Sequence, residues 1–430
     1  MRLRKKAATL GCIGLGLLMA VSGCSPSNDP SDGLGPDGEV TLNFAFWGND
    51  ARAQMYQQAF DAFTVENPQI KVNASLLSWA DYWDKRKIEA AGGNLPDVMQ
   101  WDYQYMREYA ANGKLLDLAP YLGSTIVTDG ISSSLLPTGE VDGTQFGIPI
   151  GGNTYALFIN SALLKDSGVD AYPGGGTWEQ YTSWLASVSS ALQPVAYGGA
   201  DWTRNLENFQ HWLRAQGKSL FTEDGKPGFT KEDLTAFWNL GVALREAGGA
   251  VPADRAEEAL PKSPLGAGLG VAETQWDNFS ASFAADLGVD ATDLSIVAPP
   301  TAAASARDLY MKPSMLHVIA KNTKHPDQAA KLVDFLINSP QVGEIFGTNR
   351  GLPASQTQRD GLVVSASIQA MIDYEASVAF RIGEPPLAPV VGYGTIATKY
   401  LSLSTDLGLG VVKVTDAVNQ FFDEMNQVLG

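Results

Sequence analysis

The sequence predicts an α/β protein with two lobes, multiple interlobe crossings and a ligand cleft. Its 430 residues exceed what one ordinary hydrophobic core contains. From residue 39 to residue 101 the pattern is β-α-β-α-β, which is typical of a parallel, doubly wound sheet. A Gly-rich segment, 147–160, then separates this pattern from a second α/β region. Because glycine accepts backbone angles that other residues resist, we expect the chain to pass from one lobe to the other there.

The N-terminus has the pattern of a secretory signal. A basic segment, 1–6, precedes an apolar run, 7–21, that is too short to span a membrane. The run ends in Val-Ser-Gly-Cys24, which resembles the lipobox of bacterial lipoproteins, so we predict a signal peptide over 1–23 and lipidation of Cys24. Residues 24–38 would form a flexible tether. An ordinary signal peptide with a coincidental cysteine is the alternative.

Charge and cysteine content exclude several classes of protein. Removal of residues 1–23 leaves 407 residues and, because four positive charges are lost with them, changes the net charge from −17 to −21. Nucleic acid and anionic membrane surfaces repel so acidic a chain, so lipid alone would hold it to the membrane. Cys12 is lost with the signal, which excludes an internal disulfide and a cysteine metal site. We expect a monomer with no cofactor and no metal.

The first lobe begins with three predicted strands, 39–46, 70–76 and 95–101, separated by helices at 52–66 and 79–91. Ligands bind beyond the carboxyl ends of the strands in such sheets. The first strand ends at Trp47 and Asn49, and the third ends at Trp101 and Asp102. These four residues are therefore candidates for the cleft.

The second lobe continues the alternation of strands and helices. Asn153 and Tyr155 lie in the first crossing, at the expected mouth of the cleft. Capping-box spacing at Thr177 and Thr230 predicts two helix starts. A predicted strand at 195–200 leads to Trp202 and Asn205, a strand at 268–273 leads to Trp276 and Asn278, and a further strand covers 294–300.

Two later segments are predicted to return the chain to the first lobe and leave it again. The second crossing is expected near 309–313 and contains Lys312, and a third turn region at 349–354 contains Arg350. The expected first lobe is 39–149 plus 312–353, and the expected second lobe is 150–311 plus 354–430. Residues 354–430 are expected to be mostly helical.

Nine short segments carry a resemblance to a known family. They are 63–72, 95–98, 109–118, 148–149 with 155–164, 177–178, 224–227, 297–300, 324–336 and 351–353. In this order they resemble the family 1 extracellular solute-binding proteins, the carbohydrate-binding subunits of bacterial ABC importers. The segment 47–52 looks like the branch that binds plant- or polysaccharide-derived oligosaccharides.

The resemblance implies a periplasmic-binding-protein-like fold whose two lobes close on a sugar. It also implies an oligosaccharide ligand, permease subunits of an ABC transporter and an ATPase. Many relatives have a Gly-Gly pair at the entry to the second crossing, where this chain has Tyr310-Met311-Lys312.

The candidate site residues suit the chemistry of a sugar. Sugars present an apolar C–H face and a rim of hydroxyls, which aromatic platforms and planar polar side chains complement. Four tryptophans at strand ends are the predicted platforms: Trp47, Trp101, Trp202 and Trp276. A single tryptophan more often belongs to a core, but these four have polar neighbours. Trp79, at a helix start, is a further candidate, whereas Trp178, Trp184, Trp212 and Trp238 lie in helical patterns and are assigned to packing.

Three cations complete the candidate set. Arg52 would either pair with Asp50 or contact the ligand, and Lys312 and Arg350 would either reach the ligand or close a salt bridge at a hinge. Two classes of function remain open. The first is a non-catalytic oligosaccharide-binding lipoprotein, and the alternative is a membrane-anchored glycoside hydrolase or lyase with a carboxylate pair in the same cleft. A binder of polyamine or ferric iron is disfavoured, because iron binders of this architecture use paired tyrosine ligands that the sequence does not place.

Overall fold

The computed structural model describes residues 38–303 and 306–430. The predicted signal peptide, Cys24 and the tether up to residue 37 lie outside the described residues. The strands are β1 (Val40–Trp47), β2 (Ile70–Leu77), β3 (Val98–Trp101), β4 (Glu140–Val141), β5 (Thr144–Gln145), β6 (Gly147–Asn153), β7 (Tyr155–Asn160), β8 (Tyr197–Gly199), β9 (Gly270–Trp276), β10 (Leu294–Val297), β11 (Lys312–Ile319) and β12 (Leu352–Pro353).

The α-helices cover the sheets and build most of the C-terminal region. They are α1 (Asp50–Glu66), α2 (Trp79–Gly92), α3 (Met106–Ala111), α4 (Ser161–Ser167), α5 (Trp178–Leu192), α6 (Leu206–Arg214), α7 (Lys231–Glu246), α8 (Ala253–Glu258), α9 (Ser280–Leu287), α10 (Pro326–Asn338), α11 (Pro340–Phe346), α12 (Gln356–Arg359), α13 (Ala366–Val378), α14 (Tyr393–Gly408) and α15 (Val414–Leu429). Among the described residues, no helix is both long and apolar enough to cross a membrane.

The first lobe is built on a six-stranded sheet with the order β12-β6-β11-β3-β1-β2. β1 runs parallel to both β2 and β3, which confirms the predicted β-α-β-α-β arrangement. β11 returns antiparallel to β3 and β6. α1 begins where predicted, because the Asn49 side chain accepts the Arg52 N–H at 3.0 Å and so satisfies one of the free N–H groups at the helix start. Its buried stripe contains Tyr56, Phe60 and Phe63.

The second lobe is built on a four-stranded sheet with the order β10-β7-β9-β8. Both predicted capping boxes are present, at Thr177 before α5 and at Thr230 before α7. Trp178 and Trp238 lie in the core of this lobe, as predicted from their helical spacing. α14 and α15 pack together, and α15 also packs on α7.

Strand pairing places the first crossing at a single residue, Thr154. Residues 147–153 belong to the first sheet and residues 155–160 to the second, so 150–153 lie in the first lobe and not in the second as expected. Glycine is required here for close approach: a Cβ on Gly151 would lie 2.6 Å from the Leu352 carbonyl oxygen and 2.7 Å from that of Arg350. The Gly-rich segment therefore lets β12 and the turn before it pack against β6.

The other two crossings can be located from the packing and pairing of the elements on either side of each. The second lies between Tyr310 and Lys312, within the expected range. α12 packs on α10 and α11 of the first lobe, whereas α13 packs on β10 of the second. The chain therefore crosses for the third time between 359 and 366, later than the expected boundary at 353.

Buried hydrogen bonds connect the first two crossings, and a buried ion pair lies at the third. Thr154 N–H donates to Asp277 Oδ2 at 3.0 Å, and Asp277 N–H donates back to the Thr154 carbonyl at 3.0 Å. Thr154 Oγ1 donates to the Tyr310 carbonyl at 3.2 Å, at the second crossing. At the third, Arg359 Nη1 pairs with Glu375 Oε2 at 3.1 Å. Burial, together with the nearby Glu375 charge, raises the pKa of the Asp277 carboxyl well above its usual range.

Candidate ligand-binding cleft

The cleft between the lobes has two compartments that share Asp102 and Lys312. The smaller has a volume of about 270 Å³ and is lined by Trp47, Arg52, Trp79, Asp102, Asn153, Trp276, Asn278, Phe279, Lys312, Ser314, Met315, Asn349, Arg350 and Gly351. The larger, of about 1010 Å³, adjoins it on the other side of Asp102 and Lys312. Both lobes contribute to each compartment, as a cleft that closes on a ligand requires.

The first-lobe wall of the smaller compartment is a pair of tryptophans. Trp47 is the last residue of β1, and Trp79 is the first residue of α2, which Ser78 caps. Their ring centroids lie 5.0 Å apart with the planes nearly perpendicular. Trp47 is 9% exposed, whereas Trp79 is 41% exposed. So large an exposed fraction on a tryptophan leaves a ring surface available to a ligand.

Trp276, the last residue of β9, forms the second-lobe wall. Its ring packs edge-on against Tyr155 at 5.2 Å and Tyr310 at 5.7 Å between centroids. Lys312 Nζ lies 5.0 Å from the ring centroid, in cation–π geometry. The exposed Asn278 follows directly and lines the same compartment. The end of β9, which was predicted from the sequence, therefore places the Trp276 ring and the Asn278 amide in the cleft.

Polar side chains form the floor. Arg52 does not pair with Asp50; its Nε donates to Asn349 Oδ1 at 2.9 Å and its Nη2 donates to the Asn349 carbonyl at 3.1 Å. Of the two alternatives for Arg52, the local pair with Asp50 does not form, because the turn before Arg350 brings Asn349 to the guanidinium. Asn153 is 4% exposed, and no described donor reaches its Oδ1. Burial raises the pKa of the Asp102 carboxyl, against the opposing effects of the Gln104 N–H and the Lys312 charge.

The larger compartment contains residues that the sequence reasoning missed. Tyr103 Oη donates to the Pro386 carbonyl at 2.6 Å, and Arg107 Nε donates to the Ala388 carbonyl at 3.3 Å. The segment 384–389, Glu-Pro-Pro-Leu-Ala-Pro, thus leaves the second lobe and contacts the first. Residues 354–430 were expected to be mostly helical, and three prolines in six residues are the sequence signal that this segment is an exception.

Aromatic and charged side chains of the second lobe line the rest of the larger compartment. Tyr310 Oη donates to Glu207 Oε2 at 2.8 Å, and the Arg214 guanidinium lies 5.2 Å over the Tyr310 ring. Tyr393 and Phe221 complete this wall. Tyr310 and Lys312 occupy the second crossing; Tyr310 lines the larger compartment, and Lys312 lines both.

Nine of the fourteen predicted ligand-binding residues line the smaller compartment: Trp47, Arg52, Trp79, Asp102, Asn153, Trp276, Asn278, Lys312 and Arg350. Three others do not line it. Asn49 caps α1, and Asn205 Nδ2 donates to the buried Tyr155 Oη at 2.7 Å. Tyr155 supports Trp276 from beneath and does not line the compartment.

Two predicted platforms are core residues, and these assignments are wrong. Trp101 is fully buried, with its ring edge-on to Trp83 at 4.9 Å and Tyr109 at 4.7 Å. Trp202 is 2% exposed and stacks on Trp178 at 4.2 Å. Both follow strands, as Trp47 and Trp276 do. The packing of helices from their own lobe covers them, and the sequence pattern around each residue does not contain that information.

Comparison with known proteins agrees with this architecture. The sequence profile described as bacterial extracellular solute-binding protein matches residues 48–342. An extracellular solute-binding protein family 1 structure from Alicyclobacillus acidocaldarius is 29% identical, with a TM-score of 0.76 over 91% of this chain and 98% of that one. A periplasmic oligogalacturonide binding protein from Yersinia enterocolitica is 19% identical, with a TM-score of 0.77 over 91% and 99%. A lipoprotein of the oleD 5′ region of Streptomyces antibioticus is 26% identical over 75% of this chain and 70% of its own length.

Proposed function

Because the chain belongs to the bacterial extracellular solute-binding proteins, we propose that it binds an oligosaccharide in the interlobe cleft and delivers it to the permease subunits of an ABC importer. One observation carries the proposal. Trp79 and Trp47 on one lobe face a compartment that Trp276 on the other lobe also lines, and amides and charged groups lie between them. Such a site offers aromatic faces to the C–H surfaces of a sugar and hydrogen bonds to its hydroxyls.

The volume of the cleft favours a chain of sugars over a single ring. The smaller compartment, at about 270 Å³, is below the usual range for drug-sized ligands, whereas the larger, at about 1010 Å³, is at its upper end. Since Asp102 and Lys312 line both, one ligand that extends past them would contact both compartments. The Yersinia enterocolitica protein, whose name states that it binds oligogalacturonide, has the same fold.

The mode of attachment and the partners are part of the proposal. The lipobox-like sequence before Cys24, together with similarity to a named lipoprotein, supports a lipid anchor on the outer face of the cell membrane. A monomer is proposed because closing of two lobes within one chain is sufficient to enclose the ligand. The permease would receive the sugar from the closed form.

A glycoside hydrolase or lyase is the competing function. Glycosidases use a pair of carboxyl groups on either side of the scissile bond. Among the described residues that line the compartment with the tryptophan walls, Asp102 is the one carboxylate, whereas Glu207, Glu223, Asp224 and Glu384 line only the larger compartment. A sugar ring held between the tryptophan walls would therefore meet no carboxylate pair, and we propose that the protein does not hydrolyse its ligand. Incubation with a bound oligosaccharide, followed by mass spectrometry, should return the ligand unchanged, and shortened products would contradict the proposal.

The binding proposal is tested by a thermal-shift screen against oligosaccharides. A ligand at 100 times its dissociation constant should add about 2.7 kcal/mol to the free energy of unfolding. Two tryptophan variants then separate site from core. Trp276→Ala should weaken binding by about 2 kcal/mol, whereas Trp238→Ala should lower Tm and leave the affinity of the folded protein unchanged, because Trp238 is 1% exposed in the second-lobe core. If the two variants behave alike, Trp276 is not a platform.

A further inference from the structure

The smaller compartment concentrates positive charge in a strongly acidic protein. The chain has 47 acidic and 30 basic residues, and yet Arg52, Lys312 and Arg350 line this compartment with Asp102 as the one acidic lining residue described. A neutral sugar needs aromatic faces and hydrogen bonds, and three cations at one end of its site are not required for either. An excess of cations attracts and retains an anionic group.

None of the three cations forms an ion pair within the part of the chain that the structure describes, although Asp102 lines the same compartment. Arg52 donates to neutral acceptors, the side chain and carbonyl of Asn349 and the carbonyl of Trp47. Lys312 lies over the ring of Trp276 and forms no ion pair within the described residues. Elsewhere the half-buried arginines Arg204, Arg245 and Arg359 each pair with a carboxylate. The cations of the cleft therefore differ from the structural cations of the same protein.

Arg350 is buried and has no carboxylate partner among the described residues. It is 3% exposed, and its Cζ lies 3.6 Å from the Phe346 ring centroid and 5.5 Å from that of Tyr56. Its Nε and Nη1 have no acceptor among the described residues. The neighbouring Tyr56 hydroxyl donates to Gln100 Oε1, and the nearby His317 ring is kept neutral because burial, helped by the Arg350 charge, lowers its pKa well below the usual value. Burial of a cation without a counter-charge is unfavourable, and a bound anion would offset that cost.

The remaining polar group of the compartment suits the other half of an acidic sugar. Asn153 Oδ1 is buried without a described donor, so it can accept a hydrogen bond from a hydroxyl. Carboxylate on one edge, hydroxyls on the other and an apolar C–H face are the features of a hexuronic acid. Guanidinium groups match a carboxylate in geometry as well as in charge.

We propose that the sugar bound in the smaller compartment carries a carboxylate, as in a hexuronic acid, an inference that rests on the proposed function. Its carboxylate would bind at the site formed by Arg350, Arg52 and Lys312. Asn153 and the tryptophan walls then orient the ring. The larger compartment would hold the rest of the oligosaccharide.

Methyl esterification provides a matched test, because it removes the charge and preserves the chain and linkages. Oligomers of galacturonate, glucuronate and mannuronate would be titrated calorimetrically into the full-length mature protein, each beside its methyl ester. At least one acid should bind about 10-fold or more tightly than its ester, since hydrogen bonds between charged groups contribute more than neutral ones. Equal affinity for acid and ester, or tighter binding of neutral oligosaccharides, would overturn the inference while leaving the proposed function intact. Absence of binding by any sugar would refute both.

Variants that each remove one positive charge test which cations cause the preference for the acid over its ester. Lys312→Gln and Arg52→Gln should each reduce the ratio of acid to ester affinity by about threefold or more. Lys165→Gln, which removes an exposed charge on α4 outside both compartments, should leave the ratio unchanged. Arg350→Gln is expected to have the largest effect, and its folding would be checked by circular dichroism. A preference for the acid that survives both Lys312→Gln and Arg52→Gln would show that the carboxylate binds elsewhere and would overturn the assignment of this site.

Discussion

Replacement of Trp79 by alanine tests whether the exposed tryptophan of the cleft binds sugar. Trp79 is 41% exposed. For a side chain of about 250 Å², this fraction leaves about 100 Å² of ring surface, which a stacked sugar would cover. At about 25 cal/mol per Å² the covered surface corresponds to about 2.5 kcal/mol. Ordering of the ligand reduces this gain, so we expect Trp79→Ala to weaken binding by about 2 kcal/mol, or roughly 30-fold.

Stability should also fall in this variant, and that loss is measured separately from the loss of affinity. Trp79 meets Trp47 and Trp83 edge-on, at 5.0 and 5.7 Å between centroids, and each such pair contributes about 0.5–1.5 kcal/mol. Isothermal titration with an oligosaccharide that the unchanged protein binds would measure the affinity, and a parallel urea titration would measure the free energy of unfolding. A normal dissociation constant in a Trp79→Ala protein would refute the reasoning, because the exposed ring would then have no part in binding.

The remaining predictions concern membrane attachment, closure and pH. Cys24→Ala should release the protein from cell membranes into the soluble fraction; retention with unchanged mature mass would contradict lipidation. Saturating ligand should reduce the radius of gyration in small-angle scattering, because both lobes contact it, and an identical profile would argue against closure. Burial raises the pKa of Glu273 to about 7, so its carboxyl, protonated in the folded state at pH 5, must ionise in a buried position as the pH rises through 7. The unfolding free energy should therefore fall by up to about 3 kcal/mol between pH 5 and pH 8, and Glu273→Gln, which keeps an acceptor for the Leu265 N–H, should remove most of that fall in urea titrations.

The sequence by itself determined the elements and most of the cleft. Alternation and helical periodicity are local properties, and they predicted the parallel β1–β2–β3 core, the helices that cover it and the capped starts of α5 and α7. Ligands of such α/β lobes bind beyond the carboxyl ends of the strands. Trp47 at the end of β1 in the first sheet and Trp276 at the end of β9 in the second sheet could therefore both be assigned to the cleft between the lobes.

Tertiary structure alone decided which strand ends stay open to a ligand. Trp101 and Trp202 have the same local pattern as Trp47 and Trp276, but Trp83 and Tyr109 cover the first and Trp178 covers the second. Coverage depends on side chains that are distant in sequence, so a residue's own neighbours do not report it. For the same reason, the sequence did not predict the contact of the 384–389 segment with the first lobe or the hydrogen bonds between Arg52 and Asn349. Each forms between residues that only the assembled fold brings together.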